Sequence, residues 1–447
     1  VAEKRIVSVV GLGKLGVPMV ACLAEKGFTV IGVDVNQVAI DQVNAGKAPV
    51  QEPGLDEMLY QNRERIRATA NYAEAIAQSD ATFIIVPTPS DADGGFSLKY
   101  IHAVLDPIGK SIRDKNTFHL VVITSTVMPG ATGSEIKSVL ETASGKTCGE
   151  GFGLCYSPEF IALGNVIHDM LNPDFILIGE SDPKSGAMLE EIYLQMSNGN
   201  PPVSHMNLVN AELAKISVNT FVTTKISYAN MLSEMCERIP GADVDVVTNA
   251  IGQDSRIGRK YLKGATGYGG PCFPRDNVAF AFIANSVGAN PAIAVATDEI
   301  NRNQATRLAN HLLPKLTPNS KVGILGLSYK PDTNVIEQSQ GLALAKELLS
   351  QGFAVILYDP LALENVQQIL GTQPEYAESA KECVQRADAV VITTSSKEFQ
   401  TLVPADFIST NSSTKRKLLL DCWRVLDRSQ FSPVCEYLAL GVGSTTV

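Results

Sequence analysis

The residues best suited to chemistry in this chain of 447 cluster around one thiol. Cys272 lies in Gly267-Tyr268-Gly269-Gly270-Pro271-Cys272-Phe273-Pro274-Arg275-Asp276. Three glycines and two prolines there fix a loop of one shape whose backbone can approach a ligand closely. Arg275 and Asp276 stand three and four residues after the thiol, and a thiol presented rigidly beside charges fits an activated nucleophile. The competing reading is a small core hydrophobe, the usual lot of a lone cysteine.

A second group of residues points to a dinucleotide. Gly11-Leu12-Gly13-Lys14-Leu15-Gly16 has the GxGxxG form, follows a strand-like run and opens a helix-like one. The first glycine permits the turn, the second admits a pyrophosphate and the third lets helix pack on strand, while the helix N-terminus supplies dipole and N–H donors. Asp34 ends the next strand-like run, where it would accept from both ribose hydroxyls and repel a 2′-phosphate, which favours NAD over NADP. The bland alternative is a glycine turn with Asp34 as a helix cap. Farther on, Gly323-Ile324-Leu325-Gly326-Leu327-Ser328 lacks a third glycine at the required offset. That unit is expected to be Rossmann-like but to hold something other than a second NAD, with Asp359 capping or ending a turn before Pro360.

These residues need a scaffold, and the apolar runs supply one. Arg5-Ile6-Val7-Ser8-Val9-Val10, Thr29-Val30-Ile31-Gly32-Val33-Asp34, Ala81-Thr82-Phe83-Ile84-Ile85-Val86 and Leu120-Val121-Val122-Ile123-Thr124 read as strands. A helical spacing over 17–26 ends at Gly27. Continuous apolar runs fit strands buried on both faces, hence a parallel sheet covered by helices. Phe175-Ile176-Leu177-Ile178-Gly179 is expected to close this domain near residue 200. Residues 207–238 are helical in pattern without a Gly or Pro, long enough to be a spine between domains. Alternation restarts with Lys321-Val322-Gly323-Ile324-Leu325-Gly326 and continues through Ala354-Val355-Ile356-Leu357-Tyr358-Asp359, Ala389-Val390-Val391-Ile392-Thr393 and Lys417-Leu418-Leu419-Leu420-Asp421, with a polar loop over 411–417. The fold class is therefore α/β, with two Rossmann-like doubly wound domains (1–205 and 306–447) joined by a central helical domain (206–305).

Composition narrows the classes. The 45% apolar share is that of an ordinary globular protein, and no apolar run approaches the roughly 18 residues of a membrane span. A net charge of −10 argues against a sequence-independent nucleic-acid binder, while leaving room for an anionic ligand at local cations. Eight cysteines without a CxxC pair argue against a zinc site or a disulfide framework, so no metal is expected and a reducing cytoplasm is the simpler setting. A strand-like run begins at Arg5, and no signal peptide is expected ahead of it.

Taken in order, the motifs carry a family resemblance that runs nearly end to end. Gly11 to Gly16, Val86-Pro87-Thr88-Pro89, Ser125-Thr126-Val127, Ser157-Pro158-Glu159-Phe160, Ala211-Glu212-Leu213-Ala214-Lys215 with Asn219, Asp254-Ser255-Arg256-Ile257-Gly258, the Cys272 loop, Gly326-Leu327-Ser328-Tyr329-Lys330-Pro331 and Tyr358-Asp359-Pro360 together resemble the nucleotide-sugar 6-dehydrogenases, of the kind that oxidise UDP-glucose to UDP-glucuronate. The resemblance implies an NAD domain, a helical middle that forms a homodimer and a C-terminal domain that holds the nucleotide sugar. It assigns the cofactor to Gly11, Gly13, Lys14, Leu15, Gly16, Asp34, Pro87, Thr88, Ser125, Thr126 and Arg275. It assigns the sugar nucleotide to Glu159, Phe160, Lys215, Asn219, Arg256, Tyr261, Gly269, Lys330 and Arg424, with Arg256 reaching across the dimer.

The chemistry it implies is coherent. An aldehyde released between two oxidations would be reactive, so a covalent hold is useful. A thiolate adds to it as a thiohemiacetal, a second oxidation leaves a thioester, and water hydrolyses that. By resemblance Cys272 is the thiolate and Glu159 the base for hydrolysis. Lys215 and Asn219, four apart on one helix face, donate to a developing oxyanion. Asp276 orders a water with Thr126 for the first proton transfer.

Three places depart from the family pattern. Leu163 stands where a second Glu is usual after Glu159; Asn334, Val335, Glu337 and Gln338 replace an acidic pair, Arg and Glu; and Asp421-Cys422-Trp423-Arg424 offsets an Arg by one residue. UDP-glucose is the expected substrate, with GDP-mannose or a UDP-N-acetylhexosamine as alternatives. A single-step β-hydroxyacid dehydrogenase and a non-enzymatic nucleotide-sugar-binding regulator are the more distant readings.

Overall fold

The computed structural model describes residues 5–408 and 416–444. As far as residue 415, the polar loop expected over 411–417 lies outside the described residues, as do residues 1–4. The chain divides into two compact units, Val1–Ser217 and Val218–Val447.

In the first unit eight strands form one sheet: β1 (Ile6–Val10), β2 (Thr29–Val33), β3 (Ile66–Thr69), β4 (Ala81–Ile84), β5 (Leu120–Ile123), β6 (Gly153–Tyr156), β7 (Ile176–Glu180) and β8 (Val203–Asn207). Their order is β3-β2-β1-β4-β5-β6-β7-β8. Alternate residues feed opposite faces: Leu120 and Val122 of β5 join one apolar cluster, Val121 and Ile123 the other. Both faces are thus buried, which is why these strands read as unbroken apolar runs. The chain moves outward from β1 in one direction to β3, then crosses to β4 and continues the other way. This reversal opens a crevice at the carboxyl end of β1, where Gly11 begins.

One feature of this sheet corrects the sequence expectation. β7 runs antiparallel to β6, with Cys155 opposite Glu180, because the connection between them holds only the short helix Val166–Leu171 and makes no full crossover. Beyond β7, β8 pairs with it in parallel and forms the sheet edge. β8 is Val-Ser-His-Met-Asn, polar and partly exposed at the sheet edge, so it lacks the apolar signal of its neighbours.

The second unit repeats the first six strands. β9 (Lys321–Leu325), β10 (Ala354–Tyr358), β11 (Glu375–Tyr376), β12 (Ala389–Ile392), β13 (Leu418–Asp421) and β14 (Glu436–Ala439) pair in the order β11-β10-β9-β12-β13-β14, all in parallel. The missing third glycine is found here. A Cβ on Gly341 would stand 2.0 Å from the carbonyl oxygen of Gly326, as one on Gly16 would stand 1.7 Å from that of Gly11. Gly341 does the helix-packing work after an inserted loop, which hid it from the motif. Asp359 also goes beyond a turn cap. One oxygen accepts from Leu361 and Ala362 N–H (2.9 and 2.8 Å), the other from the N–H groups of Leu327 and Ser328 (2.7 and 3.0 Å) and the Ser328 hydroxyl (3.0 Å).

The helical middle comprises Leu208–Arg238, Val244–Ile251, Phe273–Ser286 and Ala292–Arg302. Leu208–Arg238 is the expected spine, uninterrupted because nothing in it breaks a helix. Within the second unit its buried residues are mostly small and polar (Thr220, Thr223, Ser227, Asn230, Ser233), joined by Ala229 and Cys236, whereas Phe221, Tyr228, Met231 and Met235 are exposed. No described helix is long and apolar enough to cross a membrane.

Candidate functional site

At the carboxyl edge of the first sheet the three glycines divide their tasks. Gly11 has φ +100°, and a Cβ there would meet the Ile85 carbonyl oxygen at 2.1 Å. Gly16 is closed by the contact with Gly11 described above. Gly13, between them, faces open space. The helix Gly16–Glu25 starts at Leu15 without a side-chain cap, so no side chain occupies the positive end of its dipole, although Val17 N–H donates to the Gly13 carbonyl (3.2 Å) and Pro18 has no N–H. Lys14 is exposed, and Leu15 packs against the apolar core. Asp34 is oriented by Leu12 N–H (2.6 Å) and Asn36 N–H (2.8 Å). No Arg or Lys follows it in Val35-Asn36-Gln37 to receive a 2′-phosphate. These residues fit a dinucleotide: an open glycine where a pyrophosphate must approach, and an acid placed for a ribose. The Ser125 hydroxyl donates to the Val86 carbonyl (2.7 Å) and accepts from Val86 N–H (2.9 Å), which ties the end of β5 to the segment entering Pro87 and Thr88. Thr126 follows on the same edge and is partly buried.

The first unit also gathers Glu159, Phe160 and Lys215. The buried Lys215 ammonium donates to the Glu159 carbonyl (2.6 Å) and lies 4.7 Å above the Phe160 ring. Desolvation pushes the Glu159 carboxyl up to about 7, against the pull of Lys215 and of the Tyr193 hydroxyl, which donates to it at 3.4 Å. A carboxyl poised there can serve as a base near neutrality. The expected second carboxylate is absent: Leu163 packs into the apolar core. The loop around it is held from elsewhere, since Glu52 accepts from Gly164 N–H (2.9 Å) and Val166 N–H (2.8 Å). Glu212, fully buried one turn before Lys215, accepts from the N–H groups of Gly130 and Thr132, which anchors the segment after Thr126 to the spine helix.

The second unit holds the thiol. Of the eight cysteines Cys272 is the one that is exposed. It is the N-cap residue of Phe273–Ser286, a place where the helix dipole favours an anion. Its carbonyl accepts from Asp276 N–H (2.8 Å). The Asp276 carboxylate is fully buried and takes donors from Asn219 Nδ2 (2.6 Å) and from Arg275 Nε and Nη2 (3.1 and 3.0 Å). Arg275 thus orients Asp276. Gly269 passes close to the Gln338 carbonyl, and Gly270 (φ +83°) lies under the Tyr329 ring while its N–H donates to the Glu337 carbonyl (2.8 Å). Tyr261 and Gln338 hold φ of +62° and +52°, uncommon for residues with a Cβ, and both border this loop. The Tyr261 ring meets Phe273 edge-on at 6.2 Å.

Arg256 is exposed and paired with Asp254 in its own loop (2.6 Å), and Lys330 lies 5.9 Å from the centre of the Tyr329 ring. Arg424 is occupied within its own unit. All five of its donors are engaged: two meet Asp245 (2.7 and 2.9 Å), and the rest meet the carbonyls of Cys422, Leu440 and Gly264. It clamps the C-terminal sheet to the helical middle, a consequence of the one-residue offset that turns it inward at φ +55°.

The glycine geometry makes a specific prediction. Gly13→Ala should keep the melting temperature of the parent and lose about tenfold or more in NAD affinity, since only the pyrophosphate approach is obstructed. Gly16→Ala should fail to fold or melt far lower. Thermal melts and calorimetric titration with NAD check both; equal melting losses in the two variants would contradict this division of tasks.

Comparison with known proteins agrees with the geometry. The chain matches the models of the UDP-glucose/GDP-mannose dehydrogenase family in order: the NAD binding domain over 5–197, the central domain over 209–303 and the UDP binding domain over 323–428. It is 35% identical to a UDP-glucose 6-dehydrogenase of Haloferax volcanii, over 95% of this chain and 97% of that one. It is 34% identical to a GDP-mannose 6-dehydrogenase of Pseudomonas aeruginosa, over 83% and 85%. A UDP-glucose dehydrogenase structure from Pyrobaculum islandicum superposes with a TM-score of 0.88 at 32% identity, covering 99% and 98% of the two chains. With a dinucleotide edge, a thiol at a helix N-cap position and a second Rossmann-like sheet in one chain, this protein belongs to the UDP-glucose/GDP-mannose dehydrogenase family, the NAD-dependent nucleotide-sugar 6-dehydrogenases.

Proposed function

We propose that this enzyme takes the C6 hydroxymethyl of UDP-glucose to the carboxylate, consuming two NAD and one water, with Cys272 as covalent carrier. The observation that carries the reading is Cys272 itself, the one exposed cysteine, fixed at a helix N-terminus beside buried Asp276. NAD, when bound, accepts a hydride from C6 in each of the two oxidations. The chain's own residues do the rest. Lys215 and Asn219 donate to oxygen as negative charge develops there. Asp276, with Thr126, orders the water through which the alcohol proton leaves. The Cys272 thiolate adds to the aldehyde carbon, giving a thiohemiacetal whose oxidation leaves a thioester. Glu159 takes a proton from the attacking water, the C–S bond breaks, and the thiolate and the sugar carboxylate are restored. The preference for UDP-glucose rests on the Haloferax and Pyrobaculum relatives; the Pro274-Arg275-Asp276 continuation of the thiol loop resembles the UDP-glucose and GDP-mannose branches alike and speaks only against a UDP-N-acetylhexosamine.

Residues 1–205 serve NAD, 206–305 dimerisation and 306–447 the nucleotide sugar, with Phe160, Tyr261, Gly269 and Lys330 at the sugar nucleotide. The exposed side of the spine helix supports a homodimer: Phe221, Tyr228, Met231 and Met235 face solvent while polar residues are buried behind them, the inverse of a lone surface helix. Exposed Arg256 is then available to a partner's site. The cytoplasm, where an exposed thiol stays reduced, is the proposed compartment.

A panel of nucleotide sugars tests the activity. UDP-glucose should yield two NADH per sugar, and a ratio of one, or no reaction with any UDP- or GDP-sugar, would overturn the reading. Repeated across pH, hydrolysis should rise through about pH 7 as Glu159 ionises, and Glu159→Gln should lose that limb. The sign for stability is opposite. The raised folded-state value favours the neutral acid, a contribution present below about pH 4.5 and lost as pH rises through about 7. Glu159→Gln should therefore melt higher than the parent at pH 8, the gap closing toward pH 5. For the assembly, light scattering should return twice the 47.8 kDa chain mass, and Phe221→Glu should return a single chain.

A further inference from the structure

Residues 265–270, which lead to Cys272, lie in no helix or strand, so their backbone groups need partners from outside regular structure. Two buried asparagines supply them. Asn230 of the spine helix accepts from Ala265 N–H (2.9 Å) and donates to the Thr266 carbonyl (3.2 Å). Asn301, on the helix Ala292–Arg302, accepts from Tyr268 N–H (2.7 Å) and donates to the Tyr268 carbonyl (2.9 Å). Asn301 therefore pairs with one residue as a neighbouring strand would, using both halves of its amide. The contact is close enough that a Cβ on Gly267 would stand 2.4 Å from Asn301 Oδ1, so the loop passes directly against the amide. Asn301 and Tyr268 are both buried, and water cannot stand in for either bond.

We propose that Asn301 is a positioning residue for Cys272. The path from one to the other is short and has little slack. After Tyr268 the chain is confined by the Gln338 carbonyl at Gly269, by the bond to the Glu337 carbonyl at Gly270 and by the ring of Pro271, and Cys272 then caps its helix. Asn301 fixes the residue at which this short segment begins. Asn230 grips the same loop farther upstream and serves as its comparison. The proposal rests on reading Cys272 as the nucleophile, and its test is chosen to stand apart from the identity of the sugar.

The measurement is the rate at which iodoacetamide modifies Cys272 in the full-length chain across pH 6 to 9, read by peptide mass, with thermal melting alongside. Asn301→Ala should fold, modify Cys272 about tenfold more slowly at pH 7 and move the pH profile upward as the thiol leaves the helix terminus. Asn230→Ala, with the same kind of bonds lost, should keep the parent's profile. Should Asn301→Ala fail to melt cooperatively, Asn301→Ser, which retains an acceptor for Tyr268 N–H, takes its place with a smaller change in the same direction. An unchanged profile in the folded Asn301 variant, or an equal change in Asn230→Ala, overturns the proposal. If the parent oxidised no nucleotide sugar while the profiles still separated, the enzymatic reading would fall and the positioning role of Asn301 would stand.

Discussion

A carboxylate out of reach of water is tolerated only when donors surround it, and Asp276 meets that condition through Asn219 and Arg275. Asn219 comes from the spine helix, whereas Arg275 and Asp276 lie in the first turn of the helix that Cys272 caps. Satisfying one buried charge thereby joins two helices and fixes the start of the second. The thiol inherits its position from that junction. The spine helix is used repeatedly in this way: Glu212 and Lys215 secure loops of the first unit, and Asn219 and Asn230 secure the thiol loop of the second.

The two sheets show one topology turned to different ends. Each has an acid at the end of its second strand and a pair of glycines that lets the following helix approach the first strand. Asp34 keeps part of its surface open after binding Leu12 and Asn36. Asp359, in the same place, is buried and filled by five donors from its own loops. An acid so occupied has no capacity for a ribose. The loop inserted between Gly326 and Gly341 carries Tyr329, Glu337 and Gln338 against the Cys272 loop, where the first unit has only a tight phosphate-type turn.

The strands that build the two sheet centres were legible because burial on both faces leaves an unbroken apolar run; β1, β5, β9 and β12 are of this kind. The edge strands were not. β8 and β11 are short or polar, and a half-exposed edge carries no such signal. Gly341 escaped because the motif counts residues while the packing needs only proximity. The thiol loop and the glycines of the first unit were legible as motifs. Tyr193, Glu52 and Asn301 were not, since a single polar side chain in a helix or loop looks alike in sequence whether it faces water or a buried backbone group. The same holds for Arg424: its charge is visible in the sequence, and the five acceptors around it are not.

The central claim is that Cys272 holds the sugar covalently between two oxidations and that Glu159 drives its release. Trapping tests it most directly. Glu159→Gln incubated with UDP-glucose and NAD, then quenched in acid and measured by intact mass and peptide mapping, should carry one nucleotide-sugar thioester on Cys272. Formation of the carboxylate product at the parent's rate with no adduct, or an adduct on any other residue, would contradict the account.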